Sequence, residues 1–531
     1  MIIKKVWKRI FSLGLATVMS LSMVACGDSA TESETSGSSG EPVVTDTLKV
    51  GLNADPPTLD PLMSTGAIVR DCNKNIFEGL FEMGSDYTPK LQLAEDYKVN
   101  DNYTEYTFML RKGVKFHNGD EMKADDVVAS LNRWLKKNNA VKSIIKNGEQ
   151  FEKVDDYTVK ITLSTPCYLL PSIMVSPAQF PCIMPKSVVD NATDEGGIQE
   201  YIGTGPMKFK EWKQNQYLLL EKYDDYQSPG YDLDGEAGDK TIYFKEVYLY
   251  FVSDSTIRTA GIQSGEYDII SNVAYNDIEM LSSKTDKVNL YKSLLGYAGV
   301  IMNKVEGTLG TNEKLREAIT YGIDCDEIMN AAYPAKGYYD VTASMMPEGS
   351  IWYTTAGTDA INSKNLEKAK ELVKESGYDG TPLKVITNQV YQQHYNGSLV
   401  LVDQLKEMGI EVDLQVVDWT TMLEYKKTKG KYDLYFVDYP VVTAPVSIRT
   451  ISQTDEGWTT WPEFLDLLSK VNEAKSEEDA VKNWEECQKY LMGRSSYVPL
   501  GYMYWCNATS KEINNYNAIQ CQSIFGCYKT K

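Results

Sequence analysis

Apolar and polar positions from Thr47 onward follow two periods. Alternation by twos marks TLKVGLN (47–53), YTEYTFMLR (103–111), YTVKITLS (157–164), the pair MKFKEW and QYLLLEKY (207–212 and 216–223), and EVYLYFV (246–252) as strands. Spacing by threes and fours marks helices in IVRDCNKNIFEGLFE (68–82), KADDVVASLNRWLKK (123–137) and STIRTAGIQSG (255–265). Asp125 and Asp126 suit the start of the second of these, where unpaired backbone N–H groups favour negative charge. Between them, ADPPTLDP (54–61) reads as a proline-stiffened loop whose acids serve the stiffening rather than any reaction. Gly203, Gly205 and Pro206 turn the chain into the 207–223 strand pair, and YDII (267–270) completes a strand-helix-strand unit.

A third block starts near Tyr297. The helices NEKLREAITYGID (312–324) and LEKAKELVKESG (366–377) precede the strands LKVIT, EVDLQVV and YDLYFV, which alternate with the helices YNGSLVLVDQLKEMG and TTMLEYKKT. Such alternation predicts an α/β protein with parallel strands joined by right-handed crossovers. Two helices, in 461–474 and 479–494, and a returning strand, YVPLGYMYW (497–505), end the pattern.

Ahead of Thr47 neither period is present. Lys4, Lys5, Lys8 and Arg9 precede an uncharged apolar stretch, Ile10 to Ala25, which has the build of a secretory signal peptide over 1–25. Residues 26–46 are rich in Ser, Thr, Gly and Glu, as expected of a flexible tether. No later stretch approaches the roughly 20 apolar residues of a membrane helix.

At 531 residues the chain exceeds one compact core, and two or three lobes are expected. A hydrophobic share of 42% and a mean hydropathy of -0.36 fit a folded soluble body rather than a bundle of membrane spans. The formal charge of -20 makes nucleic acid an improbable partner, and loss of the leader removes four cations more. Tyrosine and tryptophan, 36 and 9, far outnumber the two histidines; most fill cores, and the remainder suit a ligand cleft.

Met23-Val24-Ala25-Cys26 resembles the bacterial lipobox, which implies that Cys26 receives lipid and becomes the mature N-terminus; an ordinary secretory leader is the alternative. Lipidation reduces nine cysteines to eight. That parity permits disulfides without establishing them, and Cys521 and Cys527 are close enough for a local loop.

The segment LAEDYKVNDNYTEYTFMLRKGVKFHNGDEMKADDVVASLNRW (93–134), with LDP at 59–61, IFEGL at 76–80, GTGPMKFKEW, LREAITYGID and VVDWTTML in order, resembles the family 5 extracellular solute-binding proteins. The resemblance covers nearly everything after Thr47. It implies a two-lobed periplasmic-binding-protein-like fold with mixed sheets flanked by helices, a hinge, and a subdomain inserted in the first lobe. Mapped here, lobe I is 47–77, 203–294 and 498–531, the insertion is 78–202, and lobe II is 295–497. It also implies a lipid-anchored monomer on the extracytoplasmic face of the bacterial cell membrane, serving an ABC permease and its ATPase subunits. Hinge closure captures the solute without chemistry and without a cofactor.

Ligands collect at the carboxyl ends of strands in open α/β sheets, where YDLYFV ends in Val437 and presents Asp438 and Tyr439. The resemblance implies that Val437, Asp438 and Tyr439 pair with an extended ligand backbone. It implies further that Gly66 and Ala67 contact ligand from lobe I and that Trp419 is a pocket aromatic. Peptide binders of the family carry, after this strand, an acid for the peptide's α-amine; here that position falls on Val442. Either Asp438 replaces it or there is no amine to bind. Peptide is therefore the family expectation, with an oligosaccharide or other solute as rival, and a glycan-cleaving enzyme or an adhesin as readings from other classes. His117 in the FHNGD turn is expected to be structural and His394 to line the cleft; neither can make a metal site alone. No catalytic motif with a P-loop, HExxH, GxSxG or CxxC pattern occurs.

Overall fold

A computed structural model describes residues 42–142, 144–145, 148–453, 456–517 and 523–530. Cys26, its leader and most of the tether lie outside the described residues. Within the described residues no helix is long and apolar enough to cross a membrane.

One 11-stranded sheet organises the molecule. Its main strands are β1 (Thr45–Leu52), β2 (Met207–Lys213), β3 (Tyr217–Lys222), β4 (Phe244–Phe251), β5 (Ile269–Ile270), β6 (Val288–Met302), β7 (Leu383–Thr387), β8 (Val412–Val416), β9 (Leu434–Pro440) and β10 (Tyr497–Ser510). Their spatial order is β8-β7-β9-β6-β10-β5-β1-β4-β3-β2. The alternating segments give the parallel pairs β7 with β8 and β9, and β1 with β4 and β5. The rest of the sheet is antiparallel, so it is mixed.

β6 and β10 are 15 and 14 residues long and pair from Val288 opposite Ser510 to Ile301 opposite Tyr497. A strand of that length reaches about 50 Å, against a usual five or six residues per strand. The N-terminal strands extend the sheet beyond β10 and the late strands beyond β6, so this pair joins the two halves of a two-lobed molecule. At the β6–β9 contact a glycine is required: a Cβ on Gly296 would stand 1.8 Å from the Tyr439 carbonyl oxygen. A separate four-stranded antiparallel sheet, built from residues 94–162, packs on the helix α2 (Ala124–Lys137). Asp126 accepts the Lys123 backbone N–H at 2.9 Å, closing the start of α2 as its two acids lead one to expect.

Helical spacing over 68–82 holds only for α1 (Ala67–Asn73). Beyond it the chain is pinned by charge. Lys74, Glu78 and Glu82 are buried with Glu236 and Lys240; Lys74 pairs with Glu82 and, at 2.9 Å, with Glu236, and Lys240 stands 3.4 Å from Glu78. Burial alone would lift the Glu82 carboxyl, but Lys240 and Lys74 hold it below the ordinary range. Meeting these partners takes the backbone out of the helix and into the short strand Phe81–Met83.

The proline loop hides a second buried pair. Asp60 is fully buried: Oδ1 accepts Arg133 at 3.1 Å and the Leu62 N–H at 3.0 Å, and Oδ2 accepts Arg133 and the Ile198 N–H. Gly197 beside it has φ +69°, and a Cβ there would meet Asp60 Oδ2 at 2.4 Å. Asp60 is thus the tie between the loop, α2 and the 197–198 segment, a larger role than stiffening.

His117 is structural, as its turn predicts. Its Nδ1 accepts the Gly203 N–H at 3.3 Å and its Nε2–H donates to the Gly205 carbonyl at 2.9 Å, an arrangement only the neutral ring satisfies. Burial pushes its pKa down to about 4. A histidine held neutral stabilises the fold above its unfolded value of about 6.5 and loses that contribution as pH falls toward the folded value, up to about 3 kcal/mol. His117→Asn should therefore flatten the fall of the urea midpoint between pH 6.5 and 4; parallel curves for mutant and wild type would count against it.

The seven described cysteines are buried free thiols. This corrects the expected Cys521–Cys527 loop: Cys527 is enclosed with Ile524 and Phe525, and Cys521 lies outside the described residues. Burial holds the thiols in their protonated range, with Cys506 up at about 11 and Cys325 at about 12.

Candidate functional site

β7, β8 and β9 run parallel and adjacent, so their carboxyl ends open on one edge. After β7 come Asn388 and Tyr391, then α3 (Gln392–Glu407); after β8 comes α4 (Trp419–Lys427); near the end of β9 stands Asp438. Asp438 Oδ1 accepts His394 Nε2 at 3.0 Å, and Oδ2 accepts the Tyr333 phenol at 2.8 Å and Gln393 Nε2 at 3.2 Å. The side chain keeps 18% exposure.

Hydrogen bonding fixes the histidine. Asn388 Oδ1 accepts the Tyr391 backbone N–H at 2.9 Å, which turns Asn388 Nδ2 toward His394 Nδ1 at 3.1 Å. Nδ1 is then an acceptor, and Nε2 carries the proton that faces Asp438. Asp438 is held by three donors, and among the described residues no lysine or arginine lies within ion-pair reach of it. Burial pushes its carboxyl up, but the His394 ring and the bonds from His394, Tyr333 and Gln393 more than offset this, leaving it below the usual carboxylate range. The result is an acid held in its ionised form near the carboxyl end of β9.

Tyr439, one residue on, serves a different network. Its phenol accepts Lys426 Nζ at 2.8 Å and donates to Glu456, which also takes Arg449 at 3.0 Å and Lys426 at 3.3 Å. Burial lowers the Lys426 pKa while Glu456 partly restores it. Lys426 faces the rings of Tyr439, Tyr435 and Trp419 at 5.0, 5.2 and 6.0 Å, a cation held by π faces. Trp419 links both networks, with the His394 ring at 6.2 Å and the Tyr391 ring at 4.7 Å.

Of the expected site residues, Trp419, Asp438, Tyr439 and His394 come together. Val437 is 2% exposed, packs in the core and ladders with Gly299. Gly66 and Ala67 open α1, where Gly66 N–H bonds Ser64 Oγ at 3.1 Å; among the described residues no hydrogen bond joins them to the Asp438 group. Val442 packs at the margin of the large core. Tyr333, Asn388, Tyr391 and Gln393 join the group without having been expected from the sequence.

The model of the bacterial extracellular solute-binding proteins, family 5, middle region, matches residues 88–452. A probable peptide ABC transporter periplasmic-binding protein, y4tO, of Sinorhizobium fredii is 27% identical over 86% of this chain and 88% of its own. The oligopeptide-binding protein AppA of Bacillus subtilis is 26% identical over 93% of each chain. Among solved structures, the binding protein AgaA of A. tumefaciens R10, in complex with agropinic acid, superposes with a TM-score of 0.74 at 25% identity, covering 91% of this chain and 99% of its own. With a model matched over more than half its length and a two-lobed fold built on one shared strand pair, the chain belongs to the family 5 bacterial extracellular solute-binding proteins, and it is a binding protein rather than an enzyme.

Proposed function

We propose that this chain is the extracytoplasmic receptor of an ABC importer for peptides, and that Asp438 receives the ligand's α-ammonium. One observation carries the reading: a carboxylate at the carboxyl ends of three parallel strands, held ionised by His394, Tyr333 and Gln393, with no lysine or arginine of the described residues in ion-pair contact and 18% of its side chain exposed. A buried ammonium needs such a counter-charge, and Asp438 supplies it where the family's position is Val442. The names of y4tO and AppA, both peptide receptors, support the same class.

Capture is by closure. Lobe II (295–497) brings Asp438 and Trp419, the Val437 backbone continues the strand on which ligand lies, and Gly66 and Ala67 meet the ligand from lobe I (47–77, 203–294 and 498–531), which carries the insertion 78–202. Ligand that binds best to the closed form shifts the hinge population around β6 and β10, and the closed shape is what the permease accepts. The protein acts as a monomer, and ATP hydrolysis belongs to the importer's other subunits. A non-peptide solute is the second reading, favoured by the likeness to AgaA with its agropinic acid.

The test is a melting-point and Trp-fluorescence screen of the full chain against short peptides and oligosaccharides. Peptides should raise the melting point and be recovered unchanged; a response to oligosaccharides alone would overturn the peptide class, and turnover of the ligand would overturn the receptor. We propose in addition that lipid on Cys26 holds the receptor at the membrane. The protein made in a bacterial host should partition into detergent, and Cys26→Ala should move it to the aqueous phase; equal partitioning would remove the anchor.

A further inference from the structure

We infer that the site selects the ligand's amine-bearing residue, and that Tyr391 with Trp419 forms an aromatic platform for an aromatic or branched aliphatic side chain on that residue. The inference rests on Asp438 as the ammonium site. Tyr391 is 40% exposed although its ring meets Trp419 at 4.7 Å and His394 at 5.2 Å. His394 Nε2 in turn touches Asp438, so the platform stands one imidazole ring from the carboxylate. A group bound to Asp438 through its nitrogen carries its first side chain within reach of these rings.

Two further features extend the platform. Val390, beside Tyr391, is 66% exposed, and Leu423, one helical turn beyond Trp419, is 39% exposed. Large apolar side chains left open beside Tyr391 and Trp419 mark a binding surface, and tyrosine and tryptophan contribute much contact area for little conformational entropy. The same short segment builds both parts. Asn388 holds the Tyr391 backbone with one end of its amide and His394 with the other, so the cation site and the platform keep a fixed relation.

Isothermal titration of the full chain with Phe-Ala-Ala, Leu-Ala-Ala, Ala-Ala-Ala, Asp-Ala-Ala and N-acetyl-Phe-Ala-Ala tests this. Phe-Ala-Ala and Leu-Ala-Ala should bind about tenfold or more tighter than Ala-Ala-Ala, the effect of one well-made apolar contact, with Asp-Ala-Ala weakest. Tyr391→Ala should remove most of that preference and Tyr391→Phe should keep it. The inference is overturned if all free-amine peptides bind alike, or if the preference survives Tyr391→Ala. It is overturned as well if Tyr391→Ala weakens every peptide equally, which would mean that the closing lobe covers the platform. Failure of the ammonium reading appears separately, as equal affinity for Phe-Ala-Ala and its acetylated form, and an absence of any peptide binding removes both.

Discussion

Asp438→Asn should weaken peptides with a free α-amine by about 2–5 kcal/mol, roughly 30-fold or more, and leave N-blocked peptides within about threefold. The substitution preserves size. The Asn oxygen still accepts from His394, and its amide faces the Tyr333 phenol, which can rotate to accept, and Gln393, whose side-chain amide turns over to present its oxygen. What is removed is one negative charge with which no lysine or arginine of the described residues makes an ion-pair contact, so the loss falls on the ligand's cation and not on the fold. Binding of free and blocked forms of one peptide by titration calorimetry, with the melting point of the unliganded protein as control, separates the two. Equal losses for both forms would mean that Asp438 only braces the site, and would return the ligand to the non-peptide class.

Asp438 is legible in the sequence because an open α/β sheet gathers ligands at the carboxyl ends of its strands, and YDLYFV ends beside it. The same rule applied to LKVIT points to Asn388, Tyr391 and His394, but that strand lies between its neighbours only once β8, β7 and β9 are placed in order. Tyr333 is beyond such reasoning, because it sits at the end of the helix Cys325–Ala332, more than a hundred residues before the carboxylate it touches. The elements themselves are legible wherever one face is buried: α2 keeps Val127, Ser130, Leu131 and Trp134 inside at helical spacing. Periodicity misleads over 74–82, where Lys74, Glu78 and Glu82 resemble the polar side of a helix and are instead an interior ionic group whose partners, Glu236 and Lys240, lie about 160 residues away. Mixed strand direction is equally hidden, since nothing local in the β6 and β10 segments says that they run antiparallel to each other.

Asp60→Ala should cost the most stability of any single change considered, about 3–5 kcal/mol, because it strips a buried charge of its partner. Arg133 keeps its guanidinium inside, and the Leu62 and Ile198 N–H groups lose their acceptor in the same step. The site cannot relax outward, since Asp60 is held between a loop stiffened by Pro56, Pro57 and Pro61 and the left-handed Gly197. Removing both charges is the sharper experiment. In the pair Asp60→Leu, Arg133→Met the stranded guanidinium is gone and two apolar side chains fill comparable volume, so more than half of the lost stability should return even though the same ion pair is absent. Denaturant midpoints of the single and double variants decide it. A single variant within about 1 kcal/mol of wild type would show that water reaches Arg133, and a double variant no better than the single would place the cost in the two orphaned backbone N–H groups rather than in the charge.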